Sequence, residues 1–248
     1  MASIDWASRV MKDTTNNWIE WWNTENVVTT ATWHNNMDIF VTASNSLLHY
    51  NARDIILDIG SGPGYLATFL KDKVNEIHCL DISQRYLDIC QDKFSGHTNI
   101  FFYKLAEDNY TDFSFLESRR FSIIICQSVI QYYDNASAVE NLIKEVERIA
   151  LPGARFLIAD IPITSSMIAH IYGLLKGAFK KKRLLEISKM LFHTIMTEKH
   201  RKAYFSSGLL TFSDEKLKRL IGKLNLDAEV LSSRLTVNEN RRHLLIRF

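Results

Sequence analysis

Between Asp54 and Ile161 five short apolar runs alternate with segments of helical period, and this alternation limits the fold more than any other feature of the chain. The runs are Asp54–Ile59, Glu76–Leu80, Ile100–Lys104, Phe121–Cys126 and Arg155–Ile161. Phe121–Cys126 (FSIIIC) is apolar almost throughout, as a strand covered on both faces must be. Between the runs, Tyr65–Lys71 and Gln84–Lys93 read as helices, and Ala136–Ile149 repeats apolar residues every three or four positions from Val139 to Ile149. Pro152-Gly153 turns the chain into the fifth strand. Strands spaced in this way predict an α/β fold, a Rossmann-like, doubly wound sheet with helices on both faces.

Two further elements close the chain. Ser213 is placed to cap a helix whose core face is Leu217, Leu220, Ile221 and Leu224, and Asp214 and Glu215 put negative charge in its first turn. Ala228–Leu235 and Arg241–Phe248 then read as an antiparallel hairpin, so the sheet is expected to be mixed at one edge. One domain over 1–248 is predicted.

The ends of the chain differ from this core. All five tryptophans, Trp6, Trp18, Trp21, Trp22 and Trp33, fall in the first 33 residues, and residues 1–50 carry five acidic and two basic side chains. They are expected to form an N-terminal helical cap, with Trp18, Trp21 and Trp22 on one face. That stripe serves equally as packing or as an aromatic wall for the substrate. Residues 163–211 form an insertion after strand five, read as two helices joined by a basic turn around Lys180–Arg183. Nine basic and two acidic residues lie within 163–204. The basic turn is solvated, attracts an acidic substrate, or touches a membrane surface.

Whole-chain composition excludes several classes. A net charge of +2 gives no case for DNA, and a single basic cluster makes RNA a weak reading. Nowhere do 18 apolar residues run together, so no membrane-spanning helix is expected. Cys79, Cys90 and Cys126 have neither disulfide nor zinc spacing; with no signal-peptide pattern, a cytoplasmic location and no metal are expected.

Chemistry concentrates at Leu57-Asp58-Ile59-Gly60-Ser61-Gly62-Pro63-Gly64. A strand enters a glycine turn from which a helix starts, so backbone N–H groups can approach an electronegative ligand. The spacing is G-x-G-x-G with Tyr65 following, not the G-x-G-x-x-G of dinucleotide sites, and no Lys-Ser/Thr pair makes a nucleoside-triphosphate loop. Asp58 lies inside the strand, able to meet an ammonium group or to order the turn's amides. Asp81 closes the second strand, 21 residues beyond Gly60, where an acid accepts ribose hydroxyls or caps the next helix. Ala106-Glu107-Asp108 follows the third strand, where an acid and a backbone amide suit an adenine edge.

Together these residues resemble the class I S-adenosylmethionine-dependent methyltransferases, over roughly residues 50–160. The resemblance implies a seven-stranded sheet with its last strand antiparallel, S-adenosyl-L-methionine as cofactor, and methyl transfer as the activity. It implies that Gly60, Ser61 and Gly62 wrap the methionine part while Asp58 orients the turn. It further implies that Asp81 binds the ribose, that Ile82 also belongs to the cofactor site, that Ala106 and Glu107 flank the adenine, and that Gln127 and Ser128 run beneath the methionine moiety. Where DNA and protein amide methylases carry Asn/Asp-Pro-Pro-Tyr/Phe, this chain has Cys126-Gln127-Ser128-Val129. A small-molecule acceptor, acidic or aromatic, methylated at O or N is therefore favoured, with the insertion as acceptor lid. A nicotinamide-dependent oxidoreductase, a non-catalytic nucleoside-binding module and an RNA methylase are the alternatives. Candidate catalytic residues are His170, His34 and Tyr132; a histidine suits deprotonation of a hydroxyl. An amine or thiolate acceptor needs no base.

Overall fold

The computed structural model describes residues 22, 30–164, 172, 173, 175, 176, 179, 209–232, 234–238 and 240–248. His170, Trp18, Trp21 and the basic turn Lys180–Arg183 lie outside the described residues.

Helix α1 (Thr30–Leu48) is followed by β1 (Ile55–Ile59), α2 (Tyr65–Leu70), β2 (Glu76–Asp81), α3 (Gln84–Lys93), β3 (Ile100–Lys104), β4 (Phe121–Gln127), α4 (Ala136–Ile149), β5 (Ala150–Pro162), α5 (Asp214–Leu224), β6 (Asp227–Leu231) and β7 (Arg241–Arg247). The seven strands form one sheet in the order β3-β2-β1-β4-β5-β7-β6. All neighbouring pairs from β3 to β5 are parallel, while β7 runs antiparallel to both β5 and β6. After β1 the chain winds outward through β2 and β3, then returns to β1's other edge with β4. The strand order therefore reverses between β1 and β4, and in open sheets of this kind ligands bind outside the carboxyl ends of the strands at such a reversal.

Each sheet face is covered by the helices whose period predicted them. On one face, Val139, Leu142, Ile143, Val146 and Ile149 of α4, with Leu217 and Leu220 of α5, pack on Leu57, Ile59, Ile124 and Phe156. On the other, Phe40, Val41 and Leu48 of α1, Leu66 and Leu70 of α2, and Cys90 of α3 pack on Ile56, Ile77, Ile123 and Ile125. Truncating a fully buried leucine such as Leu142 to alanine costs about 2–5 kcal/mol in a core of this kind. Ser213 caps its helix as the sequence suggests, its hydroxyl accepting from Lys216 N–H at 3.3 Å, and Asn135 caps α4, its Oδ1 accepting from Ala138 N–H at 3.1 Å.

Two boundaries differ from expectation by more than one residue. Strand β5 begins at Ala150, five residues before Arg155, because the Pro152-Gly153 turn is a bulge inside the strand. Pairing with β4 shifts register between Phe121 and Ile123, and Gly153, at φ 81°, donates to Phe248 O at 2.6 Å. Strand β6 stops at Leu231 instead of Leu235, since its last partner on β7 is His243. Beyond it, Leu235 and Val237 are buried as loop anchors, and Thr236 turns its hydroxyl towards Asp160.

Candidate cofactor and active site

The β1 tip and the turn after it are held by β2. Gly60 N–H and Ser61 N–H both donate to Leu80 O, at 2.7 and 3.0 Å. Gly62 N–H donates to Asp81 Oδ2 at 2.8 Å, and Asp81 Oδ1 accepts from Ser83 N–H at 2.8 Å. Asp81, not Asp58, therefore orders the turn, and it restrains the start of α3 as well. Burial raises the Asp81 carboxyl above the usual range, opposed by the amides of Ser83 and Gly62 and by Lys104.

The three turn glycines have different reasons to be glycine. All have positive φ: 72° at Gly60, 53° at Gly62 and 71° at Gly64. A Cβ on Gly60 would lie 2.3 Å from Val129 Cγ2, and one on Gly64 would lie 2.7 Å from the Phe94 ring. Gly60 and Gly64 thus admit protein neighbours rather than a ligand. Gly62 has no atom within 4 Å of the corresponding point, so the backbone is open for a ligand's approach there.

Asp58 is buried, and none of the turn's amides donates to it. Its Oδ2 has no partner, and the same holds for the buried Ser61 Oγ and Gln127 Oε1. Asp58 pairs across to Ile125, and strand alternation puts it and Gln127 on the face shared with Ile56, Ile123 and Ile125. Buried acceptors without donors are costly, and this grouping at the tips of β1 and β4 suits a ligand that brings donors or positive charge. Burial, and then the Asp81 carboxylate, push the Asp58 carboxyl up to about 8.

On the β3 side, Leu105 N–H donates to Asp81 O at 2.9 Å, which brings the exposed Ala106 and Glu107 alongside Asp81 and Ile82. Lys104 Nζ donates to Ile82 O and lies 3.8 Å from Glu107. Every residue that the resemblance assigns to the cofactor thus falls on the carboxyl edge of β1, β2, β3 or β4.

Tyr132 lies in a 3-10 turn, Ile130–Tyr132, just after β4. Burial pushes its phenol up, so at neutral pH it holds its proton and can donate one rather than take one. Its ring meets Trp22 edge-on at 5.4 Å, and Trp22 is also 6.1 Å from the Tyr86 ring of α3. The Trp22 carbonyl accepts from Ser83 Oγ at 3.5 Å. Trp22 therefore bridges the start of α3 and the segment after β4, over the carboxyl edge. His34, on α1, packs on Phe69 at 4.8 Å and Tyr65 at 6.4 Å, both on the helix that follows the glycine turn. The structure does not bring it together with Tyr132 in a direct contact.

Asp160, near the carboxyl end of β5, has partners that its sequence neighbourhood does not reveal. Ser128 Oγ donates to Asp160 Oδ2 at 2.7 Å, and Thr236 Oγ1 donates to Oδ1 at 3.0 Å. The buried Arg241 donates to Gln131 Oε1 at 2.8 Å and to Asp160 O at 3.2 Å, with its Nε 3.7 Å from the carboxylate. Asp160 N–H donates to Nδ1 of the buried His243 at 3.1 Å, which places that imidazole's proton on Nε2. The one available signal was Arg241-Arg242-His243 ahead of the apolar run Leu244-Leu245-Ile246.

Among the described residues no group of three or more His, Cys, Asp and Glu could hold a metal ion, and no helix is long and apolar enough to cross a membrane. All three cysteines are free and buried.

Residues 56–153 match the family model described as a methyltransferase domain. Over 118 residues, 46% of this chain, the sequence is 27% identical to chondramide synthase cmdD from Chondromyces crocatus. The match spans only 3% of that relative's length. Among solved structures, the DhpI–SAH complex is 15% identical with a TM-score of 0.62, covering 94% of this chain and 96% of that one. Magnesium protoporphyrin IX methyltransferase (ChlM) from Synechocystis PCC 6803, with bound SAM, is 12% identical with a TM-score of 0.53, covering 100% and 99%.

Proposed function

From a chain that carries the class I S-adenosylmethionine-dependent methyltransferase fold, we propose an enzyme that transfers a methyl group from S-adenosylmethionine to an oxygen or nitrogen of a small-molecule acceptor. The observation that carries this reading is the set of unpartnered buried oxygens of Asp58, Ser61 and Gln127 beside the open backbone at Gly62. A cofactor with an ammonium group and polar edges supplies the donors these atoms lack. When bound, S-adenosylmethionine supplies an activated methyl group on a sulfonium centre, so the protein's work is alignment, exclusion of water and, for a hydroxyl acceptor, removal of a proton.

The residues divide that work. Gly60, Ser61 and Gly62 form the turn on which the methionine part lies, its open backbone at Gly62, with Asp58 and Gln127 as acceptors for the ammonium. Asp81 keeps lone pairs for ribose hydroxyls beyond those used by Gly62 and Ser83, and Ile82, Ala106 and Glu107 border the adenine. Ser128 contributes through its backbone at the β4 tip. His34 and His170 are the residues to take a proton from a hydroxyl acceptor, and Tyr132 is a proton-holding group that orients it.

Residues 14–34 and 163–210 serve as covers that meet above the strand ends. Support comes from Trp22 spanning Tyr86 and Tyr132. It also comes from Gly173, where a Cβ would lie 2.3 Å from Asn238 Oδ1 in the β6–β7 connection. An aromatic or anionic acceptor suits the tryptophans of one cover and the cations of the other. Free buried thiols suit a cytoplasmic location.

The reading is tested by calorimetry of the purified chain with S-adenosylhomocysteine, S-adenosylmethionine and NAD. The expected outcome is a dissociation constant in the low-micromolar range (about −8 kcal/mol) for S-adenosylhomocysteine and no measurable NAD binding. Tighter binding of NAD than of either sulfur nucleoside would refute it.

A further inference from the structure

We propose that Asp160 is a positioning residue for the cofactor site, acting at a distance by holding Ser128 in a left-handed backbone conformation. The proposal rests on the methyltransferase reading above. Ser128 and Asp160 face each other across the ends of β4 and β5, one step beyond the paired Gln127 and Ala159. Among the described residues only four non-glycine positions have positive φ, and these two, at 58° and 64°, are joined by the 2.7 Å bond from Ser128 Oγ to Asp160 Oδ2. A non-glycine residue there is strained and persists only where its surroundings hold it.

The restraint is built from several elements. Ser128 N–H donates to Ala159 O at 3.0 Å, and Gln131 Nε2 donates to Ser128 O at 3.2 Å. Asp160 is itself fixed by Thr236 at 3.0 Å and faced by the buried Arg241, which also holds Gln131. The Ser128 side chain is thus turned to Asp160 by strands β5 and β7.

The mechanical link to the cofactor site lies on either side of Ser128. Gln127, the residue before it, carries the unpartnered Oε1 at the strand tip. Val129, the residue after it, fills the space over Gly60 so closely that a Cβ there would be 2.3 Å away. If Ser128 relaxed to negative φ, Gln127 and Val129 would turn relative to each other. The acceptor oxygen and the packing of the glycine turn would be lost together. Three adjacent residues of the β4 tip therefore depend on a carboxylate 32 residues further along.

The test uses S-adenosylhomocysteine binding by calorimetry on the full chain, with folding followed by circular dichroism. Asp160→Asn is expected to weaken binding about tenfold, which is about 1.4 kcal/mol. Ser128→Ala, which loses the hydroxyl but keeps the strained φ, should do the same. Ser128→Gly, which adopts that φ without help, should cost no more than about threefold. In the Ser128→Gly background, Asp160→Asn should add less than about threefold, because there is no strained backbone left to hold. A folded Asp160→Asn protein with wild-type affinity would overturn the proposal, as would an equal loss in both backgrounds. Should Asp160→Asn fail to fold, equal losses for Ser128→Ala and Ser128→Gly would overturn it instead. A wild-type chain that binds no S-adenosylhomocysteine would refute the methyltransferase reading and this inference with it; normal wild-type binding with a silent Asp160→Asn refutes this inference alone.

Discussion

Replacing Asp58 by asparagine should make the free protein more stable while making it a poorer binder, and both effects can be sized. The carboxyl, taken from 3.8 to about 8 by burial and by Asp81, is protonated in the folded chain at neutral pH, whereas in the unfolded chain it is ionised. A raised folded-state value means that stability is fully present below the unfolded value and is lost as pH rises towards the folded one. At about 1.36 kcal/mol per unit, the loss between pH 4 and pH 8 is at most about 6 kcal/mol. The substituted amide titrates in neither state and escapes it. Thermal melts should therefore diverge with pH, the Asp58→Asn protein melting several degrees above wild type at pH 8 and close to it at pH 4. Binding runs the other way. A ligand ammonium needs the ionised form, so at pH 6 wild type must first release a proton at a cost of about 2.7 kcal/mol. S-adenosylhomocysteine affinity should rise about tenfold per unit from pH 6 towards pH 8, with about one proton released, measured by calorimetry in buffers of different ionisation enthalpy. In Asp58→Asn the slope should vanish and the affinity at pH 8 should fall. A wild-type affinity independent of pH, or an Asp58→Asn melt below wild type at pH 8, would show that Asp58 is not a buried, protonated acceptor.

Asp81→Ala should weaken S-adenosylhomocysteine binding by about 2 kcal/mol or more, because it frees the amides of Gly62 and Ser83 as well as losing the ribose acceptor; unchanged affinity in a folded variant would reduce Asp81 to a helix-start restraint. Gly60→Ala should destabilise the chain by about 1–3 kcal/mol in chemical denaturation through its collision with Val129, and Val129→Ala in the same chain should recover part of that. No recovery would mean that φ alone sets the cost. Proteolytic cleavage near Lys180–Arg183 and before Trp33 should slow on saturation with S-adenosylhomocysteine, and equal rates at both sites with and without it would count against the two covers.

Much of the sheet could be read from sequence because each strand–helix unit is local. Gln84–Lys93, Ile100–Lys104 and Ala136–Ile149 were expected with the bounds observed, since the period and the flanking polar residues sit within one stretch of chain. The proposed cofactor site is legible for the same reason: Asp58 is the penultimate residue of β1, and the glycines and Asp81 lie at or just beyond a strand's end. The Asp160 cluster was not, because Thr236, Arg241 and His243 lie some 76 to 83 residues away and meet it only through the antiparallel placement of β7. The glycine turn shows a subtler limit. Its sequence signals close approach, yet what approaches Gly60 and Gly64 is Val129 and Phe94, and only Gly62 faces open space.

The contact of Trp22 with Tyr86 and Tyr132 has an optical consequence. Since every tryptophan lies within the first 33 residues, the sheet and its helices from α2 onward contribute no indole emission. Fluorescence excited selectively at indole thus reports only the residues up to Trp33, while far-ultraviolet circular dichroism is dominated by the helices α1–α5 and the seven strands. If Trp22 lifts off before the sheet melts, the two signals will separate along a denaturant titration, and the gap between their midpoints measures how firmly that segment is fastened to the strand ends.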